Sequence, residues 1–244
     1  SPEVDACLRL MLEHGPETLH LMLLTRHRVN LSLARFFAHQ EVALLTKVDL
    51  CFTTAETRTY LLQEVFAPPT EAALAALTAQ SEGWVTALQL AVRAAPSEPR
   101  NPTDLAALLQ NHTGWMAAFL TEEILNQQTP PLRRFLLKTS ILDAFDTPLA
   151  AAVTDAENTY ALLATIIDAD LFLTALDERG EWFRYHHLFQ ALLQQRLRVE
   201  FTAGEIAGSH RRAAAWLAAD GQTAEAVRHY LAAGNGDAAA ALVE

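Results

Sequence analysis

The chain has 244 residues, of which 51% are hydrophobic, enough for more than one domain and too apolar for a disordered tail. Its formal net charge of -11 argues against nucleic acid as a direct partner, because phosphate neutralisation needs clustered Lys and Arg. No apolar run reaches the roughly 20 residues of a spanning helix, and the opening SPEVDACLRL lacks a basic region followed by an apolar one. A cytoplasmic location with no membrane partner is therefore expected. Cys7 and Cys51 lie far apart and read as two reduced core thiols.

Residues 4–13 have helical spacing, broken by HGPET. LHLMLLT, residues 19–25, is nearly continuous apolar sequence, as in a strand buried on both faces. A helix before a buried strand suggests one α/β layer of a larger parallel sheet. With no initiator Met, the chain reads as an internal fragment of a longer protein. In DLCFTTAETRTYLLQEVF, Thr53 or Thr54 can cap a helix that carries Glu56 in its first turn. Pro68 and Pro69 precede the first of two short helices, and Gly83 separates them. APSEPRNP, residues 95–102, is the most linker-like stretch.

From Trp115 the pattern is helical, with Met116, Phe119, Leu120 and Ile124 on one face. Pro130 and Pro131 open another helix, whose Leu132, Phe135 and Leu136 face inward. Leu162, Leu163, Ile166 and Ile167 mark a third. LFLTAL and EWFRY flank DERG and predict a β-hairpin. A helix follows, with Leu188, Phe189, Leu192, Leu193 and Leu197 on one stripe. Helices, a hairpin and a helix are the elements of a winged-helix domain. The Ala-rich tail, broken at Gly221 and between Gly234 and Gly236, suggests the start of a helical-repeat array.

The adjacent His186 and His187 draw attention at the hairpin exit. Adjacent side chains diverge on a strand or a helix, and no Cys or carboxylate cluster flanks these two, so no metal site is expected. One packed and one exposed histidine is the plain alternative; an anion contact where the helix begins is another. Glu122–Glu123 and Asp168/Asp170 read as solvated faces or caps. No Gly-rich phosphate loop and no G-x-S-x-G elbow occurs, so no catalytic residue is assigned and this chain alone is not expected to be an enzyme. Between Thr113 and Glu200, seven Lys or Arg face twelve Asp or Glu, the wrong sign for tracking DNA. Arg184, Arg196 and Arg198 could still form a small basic patch.

Four stretches together resemble the MalT-type family of large transcriptional regulators, STAND-class signal-transduction ATPases that usually end in a LuxR-type DNA-binding domain. LHLMLLTR resembles the late strand of their ATPase core, ending in a sensor arginine. LTKVDLCFTTAET resembles the start of the helical lid, and LTAQSEGWVTALQLAVRA the Gly-Trp segment. LLATIIDADLFLTALDERGEWFRYHHLFQALLQQRL resembles the winged-helix signature. The tail, AAAWLAADGQTAEAVRHYLAAG, is similar to the opening of a TPR-like repeat sensor.

The resemblance implies a mainly α chain with a remnant of an α/β ATPase core at 1–52 and a helical lid at 53–94. A linker would follow at 95–112, a winged-helix domain with its hairpin at 113–200, and the first sensor repeats at 201–244. It implies Arg26 as sensor of the terminal phosphate, a place that suits the carboxyl end of a buried parallel strand. It implies His186 as the contact to the diphosphate of bound ADP, His187 as its structural neighbour, and Gly83 with Trp84 as the lid motif. The nucleotide, ATP or ADP with Mg, is implied for the full-length parent. The family's phosphate loop would lie before Ser1, so weak or no nucleotide binding is expected of this chain alone. Expected partners are the rest of the parent chain, an inducer at the repeats, and a second copy in the ATP state. Two readings stand beside this one: a nucleotide-independent helical interaction module, and a winged-helix regulator that binds DNA directly.

Overall fold

The computed structural model describes residues 2–16, 18–25, 31–64, 68–95, 102–110, 114–156 and 158–243. Its helices start where capping chemistry allows. Helix α1 spans Pro2–His14, α2 Ala34–Ala38 and α3 Lys47–Leu50. Helix α4, Thr54–Glu64, opens on a reciprocal cap: the Thr53 backbone N–H donates to Glu56 Oε2 at 2.9 Å, and Glu56 N–H donates to Thr53 Oγ1. Helix α5, Glu71–Ser81, follows Pro68 and Pro69 and is capped by Thr70; α6 spans Val85–Ala94.

Three expectations fail in this half. Residues 19–25 form no strand, and Leu24 is 91% exposed. The one ladder among the described residues is the distant hairpin, and this apolar run takes no part in it. The thiols are not core thiols either: both are free, Cys7 is exposed and Cys51 half-buried. Part of the expected linker is also a helix. Helix α7, Pro102–Gln110, packs on α5 and α6 and buries Leu105 and Leu109, a pair at i and i+4. Residues 96–101 lie outside the described residues.

Helix α8, Trp115–Phe119, gives way to a π-helical turn at Leu120–Ile124 and a 3₁₀ turn at Leu125–Gln127. Helix α9, Pro130–Thr139, begins on its proline pair and buries Leu132, Phe135 and Leu136 as the periodicity predicts. Helix α10, Thr147–Thr154, is capped by Asp146, and α11 spans Thr159–Asp168. Strand β1, Leu173–Ala175, pairs antiparallel with β2, Phe183–Tyr185, in the register Thr174 opposite Arg184. Asp177 closes the turn by accepting from the N–H groups of Glu181 and Trp182, and Gly180 supplies the positive φ. Phe145 adds an isolated antiparallel bridge to Phe183, on the edge of β2 away from β1.

Helix α12, His187–Glu200, buries Leu188, Phe189, Leu192, Leu193 and Leu197. The tail follows as α13 (Ala203–Ala219), α14 (Thr223–Ala232) and α15 (Gly236–Ala241). One apolar cluster runs from Leu61 in α4 through Leu88 in α6 and Phe189 in α12 to Ala226 in α14. Two cations meet the carbonyls at the end of α10, and one of them, Arg212, ties the tail to the middle of the chain. Arg212 of α13 donates to the carbonyls of Ala152 and Val153 at the end of α10, and the buried Lys138 donates to Thr154 O beside them.

Tyr185 shows how the hairpin is fixed. Its ring is buried against Phe145 and Phe189, and its hydroxyl lies 2.8 Å from Thr139 Oγ1. Thr139 Oγ1 donates to Phe135 O, so the tyrosine O–H donates to the threonine. Burial pushes the Tyr185 hydroxyl well above its ordinary pKa, against the smaller pull of that bond. Tyr185→Phe leaves one buried hydroxyl less satisfied and is expected to cost about 1–2 kcal/mol, read as a lower urea midpoint at constant m. A midpoint equal to that of the parent would show that the pair is worth nothing.

Candidate functional site

The Gly83–Trp84 segment and the winged-helix histidines, about a hundred residues apart, meet in one place. Helix α5 ends at Ser81, and the chain reverses through Glu82 (φ +46°) and Gly83 (φ +76°). The buried Ser81 Oγ accepts from Gly83 N–H, and Phe52 N–H donates to Gly83 O at 2.8 Å. A Cβ at Gly83 would stand 2.8 Å from Phe52 O and 2.9 Å from Cys51 Cβ. Glycine is thus demanded twice at this position, by φ and by space. Trp84 then stacks edge-on against Phe172 at 4.9 Å and His186 at 5.9 Å.

His186 sits between β2 and α12 as the N-cap of the helix. Its Nδ1 accepts from Leu188 N–H at 3.3 Å, so Nε2 carries the proton and donates to Ser81 O at 3.0 Å. The ring is 4% exposed. Burial pushes its pKa down to about 4 against the pull of the Glu82 carboxylate, so it is neutral near pH 7. Its backbone N–H donates to Phe172 O, at a phenylalanine held at φ +54°. Glu82 and Phe172 are both non-glycine residues in the left-handed region, and they lie on either side of Trp84 and His186. Such strain persists only where the surroundings over-determine it.

Glu82 is the hub of the junction. Arg184 of β2 grips it with two parallel bonds: Nη1 to Oε1 at 3.0 Å and Nη2 to Oε2 at 2.9 Å. His187 Nδ1 lies 2.8 Å from Oε1, and His187 N–H reaches the same oxygen at 3.4 Å. Burial works to raise the Glu82 pKa, but the bonds from His187 and Arg184 outweigh it and hold the carboxyl well below its usual range. Lys47 makes a further tie, donating to Leu173 O and Thr174 Oγ1 of the hairpin at 3.2 Å.

This arrangement corrects the sequence reading of the histidine pair. The two rings do not diverge; they stack at 5.0 Å with 17° between planes. His186 is extended and His187 helical, so neither the strand nor the helix period governs them. A carboxylate does reach them, from Glu82, a residue too distant to be read locally. Ligand atoms of Glu82, His186 and His187 all lie within 4.8 Å of one another. They are already committed, though. Both His186 nitrogens bond to the backbone, and a divalent cation on Glu82 would stand beside the Arg184 guanidinium.

The structure therefore brings together Gly83, Trp84, His186 and His187. Arg26 lies outside the described residues. Arg184 and Arg196, two of the three cations that could have formed a basic patch, are engaged within the chain: Arg184 with Glu82, Arg196 with Thr121 Oγ1. Sequence reasoning missed Glu82 altogether. Its one signal was its position just before Gly83 in the quoted Gly-Trp segment.

Residues 121–205 match the profile of the MalT winged helix domain family. The chain is also 33% identical over 239 residues to the HTH-type transcriptional regulator MalT of Cronobacter sakazakii, and equally to that of Klebsiella pneumoniae. Over these 239 residues the chain is similar to part of those MalT regulators. These matches cover 96% of it, and it spans about a quarter (26%) of the length of those MalT regulators. The stretch that matches this winged helix domain contributes Arg184, His186 and His187, and the turn after α5 contributes Ser81, Glu82, Gly83 and Trp84. No described helix is long and apolar enough to cross a membrane.

Proposed function

We propose that this chain is the coupling segment of an ATP-dependent, inducer-responsive transcriptional regulator. In this reading His186 senses the bound nucleotide, and the winged helix passes that state to the tail repeats and to self-association. The observation that carries it is the junction itself. A neutral, buried His186 donates its single proton to the Ser81 carbonyl, while Glu82 holds the first residue of α12. These are replaceable polar contacts laid over an apolar core. A phosphate oxygen can take the same Nε2–H once the lid turn lets go. A ligand that engages His186 in only one of the two arrangements shifts the balance between them. The Arg212 contacts to the end of α10 give the tail a mechanical route to the same domain.

ATP or ADP with Mg, an inducer at the repeats, and a terminal-phosphate role for Arg26 belong to this proposal through the MalT resemblance. His186→Ala in the full-length regulator should weaken ADP retention about tenfold, the equivalent of about 1.4 kcal/mol, and raise basal transcription. ADP affinity unchanged by the substitution sinks the sensing role. The helical interaction module remains the second reading, favoured by the α13–α15 tail, and it predicts no effect of His186→Ala on any nucleotide. Direct DNA readout has less support, because Arg184 and Arg196 are engaged within the chain.

A further inference from the structure

A second histidine pair stands apart from the turn after α5, in the tail. Helices α13 and α14 pack side by side, with Ala213, Leu217 and Ala226 buried in the core. This packing sets His210 of α13 against His229 of α14. Their Nδ1 atoms lie 2.9 Å apart, and the rings meet at 41° with centroids 5.0 Å apart. Among the described residues neither ring makes another hydrogen bond, so nothing else fixes which nitrogen carries its proton. With the proton on Nε2, both rings aim a lone pair at one point. Burial lowers the pKa of both, which keeps them neutral near pH 7. Two neutral imidazoles held on helices with converging lone pairs are donors for a borderline transition-metal ion. With metal–nitrogen bonds of about 2.05 Å, nitrogens 2.9 Å apart subtend about 90° at the ion. That is the cis edge of square-planar or octahedral coordination, as in Cu²⁺ or Ni²⁺. Tetrahedral Zn²⁺ needs the nitrogens about 3.4 Å apart, a small opening of the helix pair.

We propose that His210 and His229 form a clamp for one divalent transition-metal ion, Cu²⁺ or Ni²⁺ before Zn²⁺, which fastens the first helix pair of the tail. Asp143, in the loop between α9 and α10, supplies a carboxylate to the same ion, directly or through a bound water. Its charge already acts on His229, and its side chain is 71% exposed, so the ion enters from that side. Arg228 Nη1 donates to Asp143 Oδ2 at 3.2 Å, but this guanidinium is itself more than half exposed and also meets Glu225. It can turn to Glu225 when a cation arrives. The Glu82 group differs, since both Arg184 bonds and both His186 nitrogens there are in use. The bound ion joins α13, α14 and the α9–α10 loop, so it stiffens the tail against the stretch that matches the winged helix domain. The clamp does not depend on nucleotide sensing by His186.

The test uses the untagged 244-residue chain, with nickel and zinc chlorides titrated in parallel at pH 7 by calorimetry. One ion per chain is expected. His210→Gln and His229→Gln should each weaken binding by about tenfold or more, and Asp143→Asn by less. The urea midpoint of the parent should rise with the ion, because the site exists only while α13 and α14 are packed. No heat and no midpoint shift at millimolar ion overturn the proposal, and so does an affinity that survives both histidine substitutions. Should the histidine variants fail to fold, the parent chain alone decides. Paramagnetic Cu²⁺, added below one equivalent, should broaden the amide resonances of Ala213 and Ala226 before any others. Broadening that begins at Trp84 and Leu188 places the ion at the Glu82 group and is equally fatal to the clamp. The two ideas fail separately: unchanged ADP retention in His186→Ala removes nucleotide sensing and leaves the metal titration untouched.

Discussion

Acidification from pH 6.5 towards 4 is expected to remove about 4 kcal/mol of folding stability, most of it through two buried histidines. His186 is one and His229 of α14 the other; burial pushes each down to about 4. An unfolded chain takes up both protons near pH 6.5, whereas the folded chain refuses them until about pH 4. Stability is complete above that window and lost as the pH falls through it. The groups facing His186 are Glu82, His187 and Lys47. Those facing His229 are His210, Asp143 and Arg228, with His210 Nδ1 only 2.9 Å from His229 Nδ1. That spacing allows one shared proton and no second. The depressed Glu82 carboxyl acts lower on the scale, its contribution fading only below its ordinary 4.5. Urea unfolding at pH 7, 5.5 and 4.5 measures the effect. His229→Leu should flatten the slope between pH 6.5 and 4 by roughly half. Midpoints that stay level to pH 4.5 in the parent would show that neither ring is held neutral.

The parts of this fold that could be read locally are those set by neighbours in sequence. Thr53 and Glu56 are three residues apart, Pro130 and Pro131 start their helix on their own, and Asp177 to Gly180 close a turn within reach of one carboxylate. The stripe from Leu188 to Leu197 needed only its period. The rest depends on distant partners. The run at residues 19–25 has the composition of a buried strand but finds no ladder, and composition cannot report a missing neighbour. Helix α7 was hidden because three prolines between residues 95 and 102 outweighed the Leu105–Leu109 spacing just beyond them. At the site, the position of His186 at the hairpin exit was legible, and so was the turn at Gly83. The bond that joins them was not. Glu82 reaches Arg184 and His187 across more than a hundred residues, and nothing near SEGW announces a carboxylate aimed at RYHH.

Gly83→Val is expected to cost about 2–5 kcal/mol and to part the turn after α5 from the winged helix. A β-branched residue in the left-handed region contributes roughly 1–2 kcal/mol of that, and overpacking a rigid site roughly 1–3 more. The obstruction at Gly83 is backbone: Phe52 O lies 2.8 Å from the added Cβ, and a carbonyl cannot rotate aside as a side-chain tip can. Retreat is blocked from the other direction as well. The turn is tied by Phe52 N–H to Gly83 O, by Ser81 O to His186, and by Glu82 to Arg184 and His187. To relieve the clash the turn must give up some of these bonds. The His186 proton is then left buried without its acceptor, a further loss of about 1–3 kcal/mol if water does not reach it. Two readouts separate this from a general loss of packing. The urea midpoint should fall, and exchange of the Gly83 and Phe52 region should rise before that of Phe135 and Leu136, whose helix the turn does not hold. Gly83→Ala should follow the same course with a smaller loss. A Gly83→Val chain that keeps its midpoint would mean that the turn slides freely. Neither Glu82 nor His186 could then serve as a latch.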